Sequence, residues 1–173
     1  MKNLKIIFFL VFLSLLKTNA FAETPHFIDF KYILNQSDAG KKAQTFLKNK
    51  LEKGIKDIQT KEKAIQAEEK KIIQQKKVVS AEEYKKKVTT LRNKVSSLQK
   101  ERQNLLNSVA TQRRKARNEL LKNLNPIVKT YMNDNNIRMV LDKKNLLLAD
   151  ENLDITKEII KLLNNKLKTI NLN

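Results

Sequence analysis

The chain has 173 residues, with 36 Lys and Arg against 18 Asp and Glu, and a formal net charge of +18. It has no cysteine, one histidine and two glycines. Those counts exclude a disulfide framework, a Cys/His metal cluster, a glycine-rich phosphate loop and a thiol nucleophile, while the charge points to anionic partners.

Residues 1–22 read as a secretory signal peptide. Lys2 and Lys5 form a positive start, residues 6–16 are apolar apart from Ser14, and Ala20-Phe21-Ala22 is a small-x-small cleavage pattern that puts the cut between Ala22 and Glu23. The apolar run is too short for a comfortable membrane span. Export without cysteine points to a bacterial periplasm and to a fold held by packing or self-association. The mature chain keeps +15, because three lysines leave with the peptide.

Next, residues 26–30 read as a short strand and 31–34 as a turn or short helix. Residues 35–38 are a cluster of turn and cap residues. His26, alone beside the cleavage site, makes neither a metal site nor a catalytic base.

Residues 38–124 organise the rest. They hold 24 Lys and Arg against 10 Asp and Glu, two Gly and no Pro, while the other mature residues hold 9 against 8. Leu51, Ile58, Ile65, Ile72 and Val79 recur every seven residues. After them Tyr84, Val88, Leu91, Val95, Leu98, Leu105 and Val109 step by fours and threes, with a missed beat at Arg102. This is a coiled-coil rhythm on two arms. Ser80-Ala81-Glu82-Glu83 is a capping box, so the arms fold into an antiparallel hairpin with its tip near residues 79–81. The first arm fills one seam position well. Its other position is expected to fall on Ile55, Glu62, Glu69 and Lys76, a half-polar seam that loosens toward the tip. The pairs Glu52/Lys56, Asp57/Lys61, Glu82/Lys86 and Glu83/Lys87 have i, i+4 spacing.

The second arm is expected to end near residues 123–126 at Pro126, with 127–133 continuing helically and Asp134-Asn135-Asn136 as the stop. Residues 137–141 and 146–149 then read as two strands of a hairpin across the turn 142–145. A last helix starts at Asp154-Ile155-Thr156, with Ile159, Ile160, Leu162, Leu163 and Leu167 as its apolar face. Residues 23–37 and 125–173 together form a β-containing body too small for an independent core, so self-association is expected. The fold class is α+β, mostly α: a long helical hairpin projecting from a small β body completed by oligomerisation.

With these pieces in view, the sequence resembles the Skp (OmpH) family of periplasmic chaperones. The resemblance is carried by the signal peptide, by Phe27-Ile28-Asp29-Phe30 through Ser37-Asp38-Ala39-Gly40-Lys41-Lys42-Ala43, by the long basic hairpin, and by Ile137-Arg138-Met139-Val140-Leu141-Asp142-Lys143 with Asp154-Ile155-Thr156. It implies a homotrimer whose strands close a small β-barrel body and whose three tentacles hold unfolded outer-membrane proteins without ATP. It also implies association with lipopolysaccharide and anionic phospholipid. This hairpin is unusually rich in lysine for that family, and its seam carries carboxylates.

The residues expected to meet a client through apolar surface are Ile65, Ile72, Ile73, Val78, Val79 and Val88. Most of them also serve the seam, whereas Ile73 and Val78 lie off it. Cations expected to meet a client or anionic lipid are Lys70, Lys71, Lys76, Lys77, Lys85, Lys86, Lys87, Arg113, Arg114 and Arg117. No cofactor, metal or catalytic residue is expected: the adjacent carboxylates Glu68-Glu69 and Glu82-Glu83 diverge on a helix rather than share a proton. Two rival readings are a histone-like nucleic-acid-binding protein and a structural coiled coil tethering the envelope. The export signal and the lack of aromatics among the basic residues weigh against the first.

Overall fold

The structure, a computed structural model, describes residues 24–172. The expected signal peptide and its cleavage site at Ala22 and Glu23 lie outside the described residues. Strand β1 (His26–Ile28) leads to α1 (Phe30–Gln36), α2 (Asp38–Gln75), α3 (Ala81–Asp134), β2 (Val140–Asp142), two single 3-10 turns (Lys143–Asn145 and Glu151–Leu153) and α4 (Thr156–Lys166). The fold is α+β and mostly α. Helices α2 and α3 form a long antiparallel hairpin, and the 38 residues of α2 alone extend about 57 Å.

The first corner is made of caps. The Tyr32 N–H donates to Asp29 Oδ1 (2.7 Å) and starts α1. The Gly40 N–H donates to the fully buried Ser37 Oγ (3.2 Å) and starts α2 two residues after α1 ends. Each cap satisfies a donor that the first helical turn leaves without a partner. The corner is so tight that a Cβ on Gly40 would lie 2.0 Å from the Leu34 carbonyl oxygen. A residue without a side chain is therefore required inside Asp38-Ala39-Gly40-Lys41.

At the far end, α2 stops at Gln75, whose carbonyl accepts from the N–H groups of Val78 (2.9 Å) and Val79 (3.0 Å). Ser80 Oγ accepts from the Glu83 N–H (3.2 Å), which is half of the expected capping box. The reciprocal half is replaced: the Glu83 carboxylate lies 3.0 Å from Lys87 Nζ. Val79 thus belongs to the turn and is half-buried there, rather than serving as a fifth core residue of α2.

Helix α3 does not end at residues 123–126. It runs through Pro126 to Asp134. Leu120, Leu124 and Ile127 are all buried in one body core with Ile33, Ala39, Ile137, Ile155, Ile159 and Leu163. Burying each such side chain contributes about 1.5–3 kcal/mol, so the stripe outweighs the roughly 3 kcal/mol penalty of an interior proline. The helix then stops as expected. Asn136 adopts φ 55°, and the Ile137 N–H donates back to the Met132 carbonyl (2.8 Å), a Schellman closure.

The strands differ from the expected hairpin. β2 covers Val140–Asp142 and pairs in parallel with β1, with His26 opposite Val140, Phe27 opposite Leu141 and Ile28 opposite Asp142. Residues 146–149 form no strand with it. The Lys144 N–H donates to Asp142 Oδ1 (3.2 Å) and opens a 3-10 turn, which carries the chain away from an antiparallel return. Leu147 and Leu148 are left 96% and 91% exposed. In α4, Ile159 and Leu163 are fully buried as expected, but Leu162 points partly outward along a groove with Pro126 and Tyr131.

Candidate binding surfaces of the hairpin

The seam between α2 and α3 decides what the hairpin can offer. One position of α2 is apolar, as the heptads predict: Ile58 and Ile72 are buried, and Leu51 and Ile65 are half-buried. The second position falls one residue earlier than expected. Gly54 stands there instead of Ile55, with Leu105 filling the space its side chain would take: a Cβ would lie 2.5 Å from Leu105 Cδ2. Ile55 is largely exposed. The next steps are Lys61, Glu68 and Gln75, and each reaches a polar partner on α3. Lys61 pairs with Glu101, Glu68 with Lys94 (2.6 Å), and the Gln75 amide oxygen accepts from Lys87 Nζ (2.7 Å). Beside them Glu62 pairs with Arg102, so the two gaps in the apolar pattern face each other.

A 3-4 alternation from Leu51 leads to positions 54, 61, 68 and 75, which keeps the stripe on one face of a 3.6-residue helix. Polar residues at that beat do not leave empty seam; they join across it. Partly exposed ion pairs of this kind contribute about 0.2–1 kcal/mol each, less than buried leucines. The expected i, i+4 pair Glu83/Lys87 forms, whereas Glu52 pairs with Lys48 (3.7 Å) and Lys61 turns across the seam to Glu101.

Apolar packing is uneven along the hairpin. A buried cluster of Ala43, Leu47, Val109 and Ala116 sits at the root, and the distal side chains are mostly half-buried. There the arms leave a groove of about 410 Å³, lined by Ile65, Ile72, Ile73, Tyr84, Val88, Leu91 and Val95, with Glu69 and Arg92 at its edge. Four of the six expected apolar contact residues, Ile65, Ile72, Ile73 and Val88, thus lie together. They differ in availability. Ile72 is 5% exposed and serves the seam, whereas Ile73 is 61% exposed. Val78, at 84%, lies in the turn outside the groove lining, beside the half-buried Val79. Tyr84 and Leu91 were legible only as seam residues; nothing in the sequence marks them as groove walls.

The cations divide in the same way. Lys70, Lys71, Lys76, Lys77, Lys85 and Lys86 are exposed around the tip. Lys87 is half-buried and engaged with Glu83 and Gln75. Arg113 and Arg117 flank a second groove at the root, of about 880 Å³, with Lys41 and Lys48 on its other edge and Leu34, Leu47, Leu51 and Leu120 in its floor. Arg117 also stacks its guanidinium over Phe30, 5.7 Å from the ring centre. Arg114 is turned toward Thr111 (3.5 Å) instead. The root groove escaped the sequence because the α1–α2 corner brings Leu34 to it from outside the hairpin.

In the body, Asp154 ties three parts of the chain. It forms a bridge with Phe27, accepts from the Thr156 N–H (2.9 Å) and lies 3.4 Å from Lys143 Nζ. Burial disfavours its ionised form, but the bonds from Thr156 and the Lys143 charge prevail and hold its carboxyl below the usual range. Among the described residues, no cluster of His, Cys, Asp and Glu could hold a metal ion, and no helix is long and apolar enough to cross a membrane.

Comparison with known proteins places the architecture. The profile of the OmpH-like outer membrane proteins matches residues 26–163. Among curated proteins none matches the sequence. A solved structure of a candidate outer membrane chaperone (OmpH-like) from Caulobacter crescentus superposes with a TM-score of 0.79 at 20% identity, covering 86% of this chain and 89% of that one. At that identity the likeness establishes the fold.

Proposed function

Since the chain belongs to the OmpH-like outer membrane protein family, we propose that it is an ATP-independent holdase chaperone of the periplasm, which keeps unfolded outer-membrane proteins from aggregating. The observation that carries this reading is the distal hairpin, where a half-open apolar groove sits among exposed lysines. An unfolded acidic client is drawn in by charge and held by many weak apolar contacts. Ile73 and Val78 offer the most exposed of these contacts. The tip lysines Lys70, Lys71, Lys76, Lys77, Lys85 and Lys86 serve the same attraction, and would equally meet lipopolysaccharide or anionic phospholipid at about 1 kcal/mol each near a charged surface.

The body supports assembly into a homotrimer. Its sheet has two strands, and an isolated pair of strands is marginal in water. The outer edge of β1 is taken by the Asp154 bridge and the Ile155 N–H, which leaves the outer edge of β2 for pairing with another chain. Leu147 and Leu148 stand almost fully in solvent beside it, where a neighbouring subunit would cover them. Residues 23–37 and 125–173 then act as the assembly body and 38–124 as the tentacle.

The test is direct. A denatured β-barrel protein is diluted from urea with and without the purified chain, and light scattering is followed. Suppression at about one trimer per client supports the reading. Full aggregation in the presence of excess folded chain rejects it.

A further inference from the structure

Residues 167–172 leave α4 and run back along the root of the hairpin, beyond the stretch that the family profile matches. We propose that this segment is a strap that latches the two arms together and limits how far they open at the root.

Four attachments carry the inference. Leu172 is 5% exposed and buried among Ala43 and Leu47 of α2 and Val109 and Ala116 of α3, so one side chain seals both arms. Its carbonyl accepts from Gln112 Nε2 (2.6 Å), and Gln112 Oε1 accepts in turn from Lys50 Nζ (2.9 Å), so the same knot joins α3, the strap and α2. Lys168 Nζ lies 3.2 Å from the carboxylate of Asp38, at the first residue of α2. Ile170 packs against both the body core and the root cluster, which links the two. The strap therefore spans body, α2 and α3 at the point where a hinge between the arms would lie. Further out, the seam is held by partly exposed ion pairs, so the root sets the spread of the arms. The strap regulates the cavity of the chaperone proposed above and rests on that reading for its use, but not for its geometry.

The chain lacks cysteine, so a labelled pair can be introduced cleanly at Asn49→Cys on α2 and Asn118→Cys on α3, both exposed at the root. Nitroxide distances are measured by pulsed electron resonance after dilution with unlabelled protein, and amide exchange is followed over residues 41–47. In the background of Leu172→Asp, the distance distribution should broaden and lengthen. Exchange protection of those amides should fall about tenfold or more, as expected on losing a buried leucine. Leu172→Met should retain the parent behaviour. A distribution and protection unchanged in Leu172→Asp would overturn the proposal. If that variant loses helicity, Ile170→Ala is read in the same way, with the same two outcomes. No client is present, so failure here leaves the holdase reading intact, and failure of client protection leaves the strap intact.

Discussion

Gly40 and Asp154 show how much a single residue decides. A methyl group at Gly40 would have to displace the backbone of Leu34, not a pliable side chain. Gly40→Ala is therefore expected to destabilise the fold by more than about 2 kcal/mol, despite alanine's better helix propensity; urea denaturation of the variant checks this. Asp154 predicts an acid-sensitive body. Its folded-state pKa is depressed, so the native chain binds fewer protons than the unfolded chain. That contribution is fully present above the unfolded value of about 3.9 and is lost as pH falls through the lower folded value. Asp154→Asn should lower stability at neutral pH and flatten the loss between pH 4 and the acid limit, as read by thermal unfolding across a pH series. The importance of Gly40 was visible in the sequence only as a motif, and that of Asp154 only as a helix start. Neither the 2.0 Å approach nor the bridge to Phe27 has a local signal.

Among the elements, the hairpin was the most legible, because periodicity is a local property. The heptads, the Ser80 cap and the stop at Asn136 all follow from residues within a turn or two of one another. What the pattern misplaced was the polar half of the seam, by one residue. The apolar beat fixes one face, but the partners of Lys61, Glu68 and Gln75 lie across the hairpin on α3. Replacing Glu68 and Lys94 together by leucine should stabilise the distal hairpin by about 1–3 kcal/mol, since an apolar pair replaces a solvated ionic one. Amide exchange of the distal arms would show this as slowed opening; unchanged or faster exchange would mean that those residues do not share the seam. The strands were the least legible element. β2 finds its partner β1 more than a hundred residues away, and a short apolar run carries no record of which strand it joins. Pro126 misled for a related reason: the local penalty was plain, whereas the core that absorbs it is assembled from both ends of the chain.

At the scale of the molecule, charge and packing are divided. The hairpin carries almost all of the excess positive charge, and the body is nearly neutral, with a two-stranded sheet and exposed leucines beside it. Sedimentation equilibrium should therefore give three times the chain mass at micromolar concentration, and Leu147→Asp with Leu148→Asp should shift it toward monomer while helicity is retained. Client capture should depend on exposed distal residues rather than on the fold. Ile73→Asp with Val78→Asp should leave stability within about 0.5 kcal/mol, as exposed sites do, yet weaken protection of a denatured β-barrel protein. The measurement that tests the central claim most directly is the affinity of the purified protein for a fluorescent, unfolded β-barrel protein, titrated by anisotropy across salt. The expected result is tight binding at low ionic strength that weakens progressively as charges beyond about 10 Å are screened, without vanishing, because apolar contacts remain. No binding at any salt concentration, or binding indifferent to salt, would contradict a chaperone whose grip begins with its basic hairpin.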